Sequence, residues 1–324
     1  SREIEIMIST NHPTIIKFIG YSLKDFHDEN NLTIIMALAK NGSLSNILKR
    51  IQSADGPKDY DNTTRQIILI GISRGMKYLH DRNIIHRDLT TGNILLDENF
   101  HPMITDFGLS KKFEVGHTMS QTMHGGTLPY MAPEVIEGEP YGPKADVYAF
   151  GIIMFEVVTD LVSYPDLANG KLNDFKFKLK VTSEDYRPVF TFEVEDSMRS
   201  LIEQCWSKNP EDRPEFGEVF RRLTSVSRGD ERVECCMDGV NVEDVRGYLE
   251  DITEINDPID IMANKIELLE AENKQLKSDK ALLIDSVSKL ESGNEKMKKD
   301  VCKQSECIRN LKYGLESLIK GYSD

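Results

Sequence analysis

Hydrophobic and polar positions fall into three stretches along this chain. In the first, Ile4, Met7 and Ile8 recur at helical offsets over residues 3 to 10. Asn11-His12-Pro13 closes that helix, because proline disfavours helical geometry in the residue before it. Two β-branched runs follow, Thr14 to Ile19 and Leu32 to Ala37, and the polar segment around Asp25 to Asn31 between them predicts an antiparallel pair. Asn41-Gly42-Ser43 then predicts a cap for a helix starting near Leu44. Beyond it the pattern is mainly helical, over Thr64 to His80, Ala145 to Thr159, Ser197 to Lys208 and Phe216 to Leu223. A small strand region ahead of a larger helical one predicts an α+β fold.

In the second stretch, from Ser225 to Pro258, hydrophobic density falls and acids collect at Glu231, Glu234, Glu243, Asp244, Glu250 and Asp251. Residues 225–258 are expected to form an acidic linker holding one short helix, Val242 to Ile252. In the third, apolar residues from Ile259 to Leu318 recur in alternating steps of three and four, without a single proline. That period predicts a coiled coil over residues 259–320. Leucine dominates one core position, while the other mixes Ile266, Val287, Val301 and Ile308 with Asn273, Lys280 and Asn294, and polar groups there favour two strands in register. Lys265 would face Glu270 of the partner and Glu272 would face Lys277 of the partner, both attractive. A parallel homodimer is the expected assembly.

Composition narrows the possible roles. At 324 residues and 39% hydrophobic content, the chain can bury one large core and carry an appendage. Its net charge is -14, and no cluster of lysine and arginine is long enough for a nucleic-acid footprint, so nucleic acid is not an expected partner. The longest apolar run, Ala149 to Val158, is broken by Glu156 and falls well short of a bilayer span, so no membrane segment is expected. Cys205, Cys235, Cys236, Cys302 and Cys307 have neither zinc spacing nor an even disulfide framework. Reduced thiols and an intracellular, cytoplasmic location are expected.

The candidate chemistry lies between residues 86 and 134. His86-Arg87-Asp88-Leu89-Thr90-Thr91-Gly92-Asn93 is followed by Asp106-Phe107-Gly108 and then by Met131-Ala132-Pro133-Glu134. Two acidic groups and an amide on two short loops are hard oxygen donors suited to magnesium and phosphoryl transfer. Each alone could simply cap a turn. In this order and spacing they make the chain resemble a eukaryotic protein kinase from Glu3 to about Leu223. Asn41-Gly42-Ser43-Leu44 and Asp146-Val147-Tyr148-Ala149-Phe150-Gly151 resemble its tyrosine-kinase-like (TKL) group, and Gly126-Thr127-Leu128-Pro129-Tyr130-Met131 resembles a serine/threonine substrate-docking loop.

The resemblance implies a bilobal kinase domain over residues 1–224, with an incomplete N-lobe and a helical C-lobe, transferring the γ-phosphoryl group of ATP to protein substrates with Mg2+. Within it, Asp88 orients the acceptor hydroxyl and takes its proton, Asn93 and Asp106 hold the metal, and Thr127 bonds Asp88. Adenine lies against Met36, Ala37, Leu38 and Ala39, with Leu95 beneath it. Met7, Phe18, His86 and Phe107 stack as a regulatory spine. Arg87 faces phosphorylation sites at Thr118, Ser120 and Thr122. Glu134 and Arg213 form a buried ion pair, and Asp146 braces the catalytic loop.

Two departures from the family pattern carry expectations of their own. Thr90 stands where serine/threonine kinases usually place a lysine, which removes a charge that would steady the transferred group. Residue 1 falls inside the pattern, so the glycine-rich loop and the lysine that pairs with Glu3 are not in this stretch. Residues 1–324 alone are expected to be inactive or nearly so, within a parent enzyme that carries both. The alternative is a catalytically dead pseudokinase scaffold that binds partners through its lobe and coil.

Overall fold

The computed structural model describes residues 2–112, 127–224 and 237–253, and, toward the C-terminus, residues 280, 284, 288–289, 294–295, 297–312 and 314. The chain forms two compact units, Ser1–Ile255 and Asn256–Asp324.

The first unit opens with α1 (Arg2–Ser9), which buries Ile4, Ile6 and Met7 on one face. Next come β1 (Phe18–Ser22) and β2 (Thr33–Met36), antiparallel with an irregularity between Phe18 and Gly20. β1 starts later than the β-branched run predicts. Ile16 N–H donates to the carbonyl of Ile104 at 2.9 Å, and Ile104 N–H donates to that of Thr14 at 2.8 Å, so Thr14 to Ile16 are engaged by a different strand.

β3 (Gly42–Ser43) leads into α2 (Leu44–Gln52), where the Ser43 hydroxyl accepts from the N–H of Asn46 as an N-cap. α3 (Asn62–Asp81), capped in the same way by Asp61, is buried along most of its length and forms the axis of the unit. Four short strands follow: β4 (Ile84–Ile85), β5 (Ile94–Leu96), β6 (Pro102–Ile104) and β7 (Lys111–Lys112). β5 pairs antiparallel with β3 on one side and β6 on the other, and β4 pairs with β7.

The rest of the unit is helical: α4 (Pro133–Glu137), α5 (Lys144–Thr159), α6 (Pro165–Ala168), α7 (Asp174–Ser183), α8 (Asp196–Cys205), α9 (Phe216–Thr224) and α10 (Val242–Thr253). α5 is apolar nearly all round and correspondingly buried, packing on α8, while α3 packs on α9 and β6. α8 ends at Cys205 rather than reaching Lys208. Arg213 donates to the carbonyls of Ser207 and Lys208, which draws the chain out of helical geometry ahead of Pro210.

The expected linker holds the expected short helix, but α10 is docked: Val245, Tyr248 and Ile252 are buried and the helix packs on α3. Residues 225–236 and 254–258 lie outside the described residues. In the second unit the described residues are helical, and Ile284, Met297, Val301, Ile308 and Leu311 are all exposed. The heptads from Ile259 to Leu276 lie outside the described residues. Among the described residues no helix is long and apolar enough to cross a membrane.

Candidate active site

The site is assembled on three loops around α5. Asp146, in the first turn of α5, is fully buried beneath the loop after β4. Its carboxylate accepts from the N–H of His86 at 2.8 Å, from the N–H of Arg87 at 2.9 Å, and from His80 Nε2 at 2.9 Å. Burial alone would push this carboxyl up; the His80 ring, the nearby His86 and the backbone donor of Arg87 outweigh it and hold the group below its ordinary range. With two consecutive N–H groups fixed from below, Arg87 takes a left-handed φ of 72° and the chain turns so that Asp88 follows half-buried.

Asp88 gathers the other loops. Asn93 Nδ2 donates to the Asp88 carbonyl at 2.8 Å and to its carboxylate at 3.1 Å. On the other side, Thr127 donates to Asp88 Oδ1 through its N–H at 3.1 Å and its hydroxyl at 3.2 Å. Asn93 closes a 3-10 turn whose cap is Thr90: the Thr90 hydroxyl accepts from the N–H of Asn93 at 3.3 Å and is buried there. Thr105 N–H donates to the Asn93 carbonyl at 3.0 Å, which ties the strand ahead of Asp106 to this turn. Asp106 itself is exposed, with φ 65°, and accepts from the N–H of Gly108 at 3.3 Å.

Phe107 is fully buried with its ring 5.4 Å from that of His86, and His86 Nε2 meets the Thr105 carbonyl at 3.0 Å. Met7 and Phe18 line a common groove beside Pro13. Met36 Sδ accepts from the Thr105 hydroxyl at 3.9 Å, and Ala37 N–H donates to the Lys17 carbonyl at 2.9 Å. Leu38 is exposed, Ala39 accepts from the N–H of Gly42, and Leu95 lies opposite Ser43 and Met103 on the central strand. Glu3 lies close enough to Asp106 to feel its charge: burial first, and Asp106 second, push its carboxyl up. It makes no ion pair among the described residues. Thr118, Ser120 and Thr122 lie outside them.

One network was not visible in the sequence. The Thr91 hydroxyl meets the Tyr130 hydroxyl at 2.9 Å, Tyr130 donates to Glu156 Oε2 at 2.6 Å, and Ser163 donates to Glu156 Oε1 at 2.7 Å. It links the catalytic loop, the docking loop and the end of α5. Desolvation pushes the Glu156 carboxyl up, and the two hydroxyl donors only partly counter it.

Residues 1–223 match the family described as protein tyrosine and serine/threonine kinase. The chain belongs to this family. It is 33% identical over 228 residues to a probable serine/threonine-protein kinase of Dictyostelium discoideum, covering 69% of this chain and 16% of that protein. It is 32% identical over 229 residues to the serine/threonine-protein kinase STY17 of Arabidopsis thaliana, covering 70% and 37%. It is 32% identical over 240 residues to the dual specificity protein kinase shkA of Dictyostelium discoideum, covering 73% and 42%. The chain thus spans less than half the length of these relatives.

In this kinase domain Arg213 closes the far side of the lobe. Its guanidinium is fully buried and donates to both Glu134 oxygens, at 2.7 and 2.8 Å, and to three backbone carbonyls, of Lys144, Ser207 and Lys208. Arg87 lies over Tyr141, 5.7 Å from the ring centroid, and among the described residues its Nε has no hydrogen-bond partner.

Proposed function

We propose that the parent protein is a serine/threonine protein kinase of the tyrosine-kinase-like group, transferring the γ-phosphoryl group of ATP to protein hydroxyls. The observation that carries this reading is the position of Asp88, whose carboxylate is held between the Asn93 amide and the Thr127 docking loop. A hydroxyl presented at Thr127 therefore lies beside the group that would orient it and accept its proton. Asn93 and Asp106 fit a magnesium site: Asp88 engages the Asn93 nitrogen and leaves the amide oxygen free to coordinate, and the Asp106 carboxylate is exposed. When bound there, Mg2+ would spread the charge of the phosphates. Met36, Ala37, Leu38 and Ala39 would hold the adenine, with Leu95 beneath it. A lysine able to reach Glu3 is what the reading requires of the parent protein.

The heptads over residues 259–320 support a parallel homodimer, and Met297, Val301, Ile308 and Leu311, exposed in the described part of that segment, are what a second copy would cover. Phosphorylation at Thr118, Ser120 or Thr122 against Arg87 is the proposed switch, and the cysteine pattern supports a cytoplasmic setting. Thr90 favours a second reading, a partner-binding scaffold without catalysis. Its hydroxyl is turned to the Asn93 N–H, so it supports the loop and supplies no cation.

The deciding experiment is phosphate transfer from ATP to serine, threonine and tyrosine peptide pools by the full-length protein. Transfer to serine or threonine that falls by about a hundredfold or more in Asp88→Asn is the expected result. Transfer to tyrosine alone, or full activity in Asp88→Asn, would overturn the reading; nucleotide binding with no transfer would establish the scaffold.

A further inference from the structure

α10 lies beyond residue 223, where the family match ends, yet it is part of the lobe. Its entry is pinned to the start of α3: Asn62 Nδ2 donates to the Asp238 carbonyl at 2.8 Å, and Asn241 N–H donates to the Thr63 hydroxyl at 3.0 Å. Tyr248 reaches deepest. Its hydroxyl lies over Gly71 of α3, where a Cβ would overlap both the hydroxyl and the Pro102 ring. The Tyr248 ring sits 4.6 Å from that of His101, tilted by 45°. Among the described residues its hydroxyl has no hydrogen-bond partner, so the seat is one of shape.

His101 ends the turn between β5 and β6, and Pro102 opens β6. That turn is tightly tied: Asp97 Oδ1 accepts from the N–H groups of Asn99 and His101, both at 2.8 Å, and Asp97 N–H donates to the His101 carbonyl at 3.1 Å. β5 starts directly after Asn93, and β6 ends two residues before Asp106. The two short strands therefore run from the turn that Tyr248 touches to the two proposed magnesium ligands.

We propose that Tyr248 is a positioning residue: seated on Gly71 and His101, it fixes the β5–β6 hairpin and thereby the placement of Asn93 and Asp106, so that docking of α10 sets the affinity of the site for a metal–nucleotide. This rests on the kinase reading above. Because α10 follows the matched domain in sequence, it is an element by which a segment outside that domain can bias the site.

The test measures binding of manganese with a non-hydrolysable ATP analogue to the full-length protein. Tyr248→Ala is expected to weaken binding by about fivefold. Tyr248→Phe, which keeps the ring, is expected to bind as the native protein does. Val219→Ala, a buried truncation on α9 that packs on α3, serves as the control for lost stability and should leave the affinity unchanged. Equal shifts in Tyr248→Ala and Val219→Ala, or no shift in Tyr248→Ala, would overturn the proposal. If the native full-length protein binds no metal–nucleotide, the kinase reading fails. Hydrogen exchange over residues 94–104 then decides the positioning claim: faster exchange in Tyr248→Ala than in Val219→Ala supports it, and equal exchange refutes it.

Discussion

Glu156 shows how one side chain changes meaning between sequence and structure. In the sequence it interrupts an apolar run; in the fold it is buried within that run and receives hydroxyls from Tyr130 and Ser163. Its raised carboxyl pKa has a definite consequence. The folded protein holds a proton that the unfolded chain releases near pH 4.3, so this contribution is complete below that value and is lost as pH rises through the folded one. Asp146 works in the opposite sense, contributing above the ordinary aspartate value and failing as acid drives pH through its lowered one. Glu156→Gln is therefore expected to gain stability over the native protein at pH 8 compared with pH 4, measured by denaturant unfolding at both. An offset that is the same at the two values would contradict this. Asp88, Asn93 and Asp106 were legible because a local motif carries them. The Glu156 network was not, because its four hydroxyl and carboxyl partners lie up to seventy-two positions apart, Thr91 to Ser163, and only packing brings them together.

Elements with their own start signals were also legible. Ser43 and the run from Leu44 announce α2, and the long helical period over Thr64 to His80 announces α3, whose cap at Asp61 only the structure shows. α7 was missed. Phe175, Phe177, Leu179 and Val181 alternate with lysines and a threonine at period two, which hides the helix that Asn173 caps. The stop of α8 was misplaced because it depends on Arg213, a residue outside the helix. The two kinds of signal differ in weight. Ser43→Ala removes one cap and should cost about 1 kcal/mol. Arg213→Ala leaves the Glu134 carboxylate buried without its partner and takes a donor from three backbone carbonyls, and should cost about 3–5 kcal/mol. Thermal and denaturant melting of the two variants would test that order, and a larger loss in Ser43→Ala would refute it.

For the whole molecule, changes of hydrophobic period mark three stretches of sequence, but they gave no sign that α10 docks on α3. Its four acids extend the acidic run that begins at Glu231, so composition alone assigns it to a linker. The heptad segment makes a separate prediction. Leu283→Pro breaks the helix at a core position and is expected to convert the proposed dimer to a monomer in sedimentation; an unchanged sedimentation coefficient would rule out that assembly. The buried stripe Val245, Tyr248 and Ile252 also determines where this domain can be cut. A protein trimmed at residue 223, where family membership stops, would lose the cover over Gly71 and expose an oily trough to water, inviting clumping. The workable unit for expression and crystallisation extends past Thr253, some thirty residues beyond the boundary that kinship alone would draw.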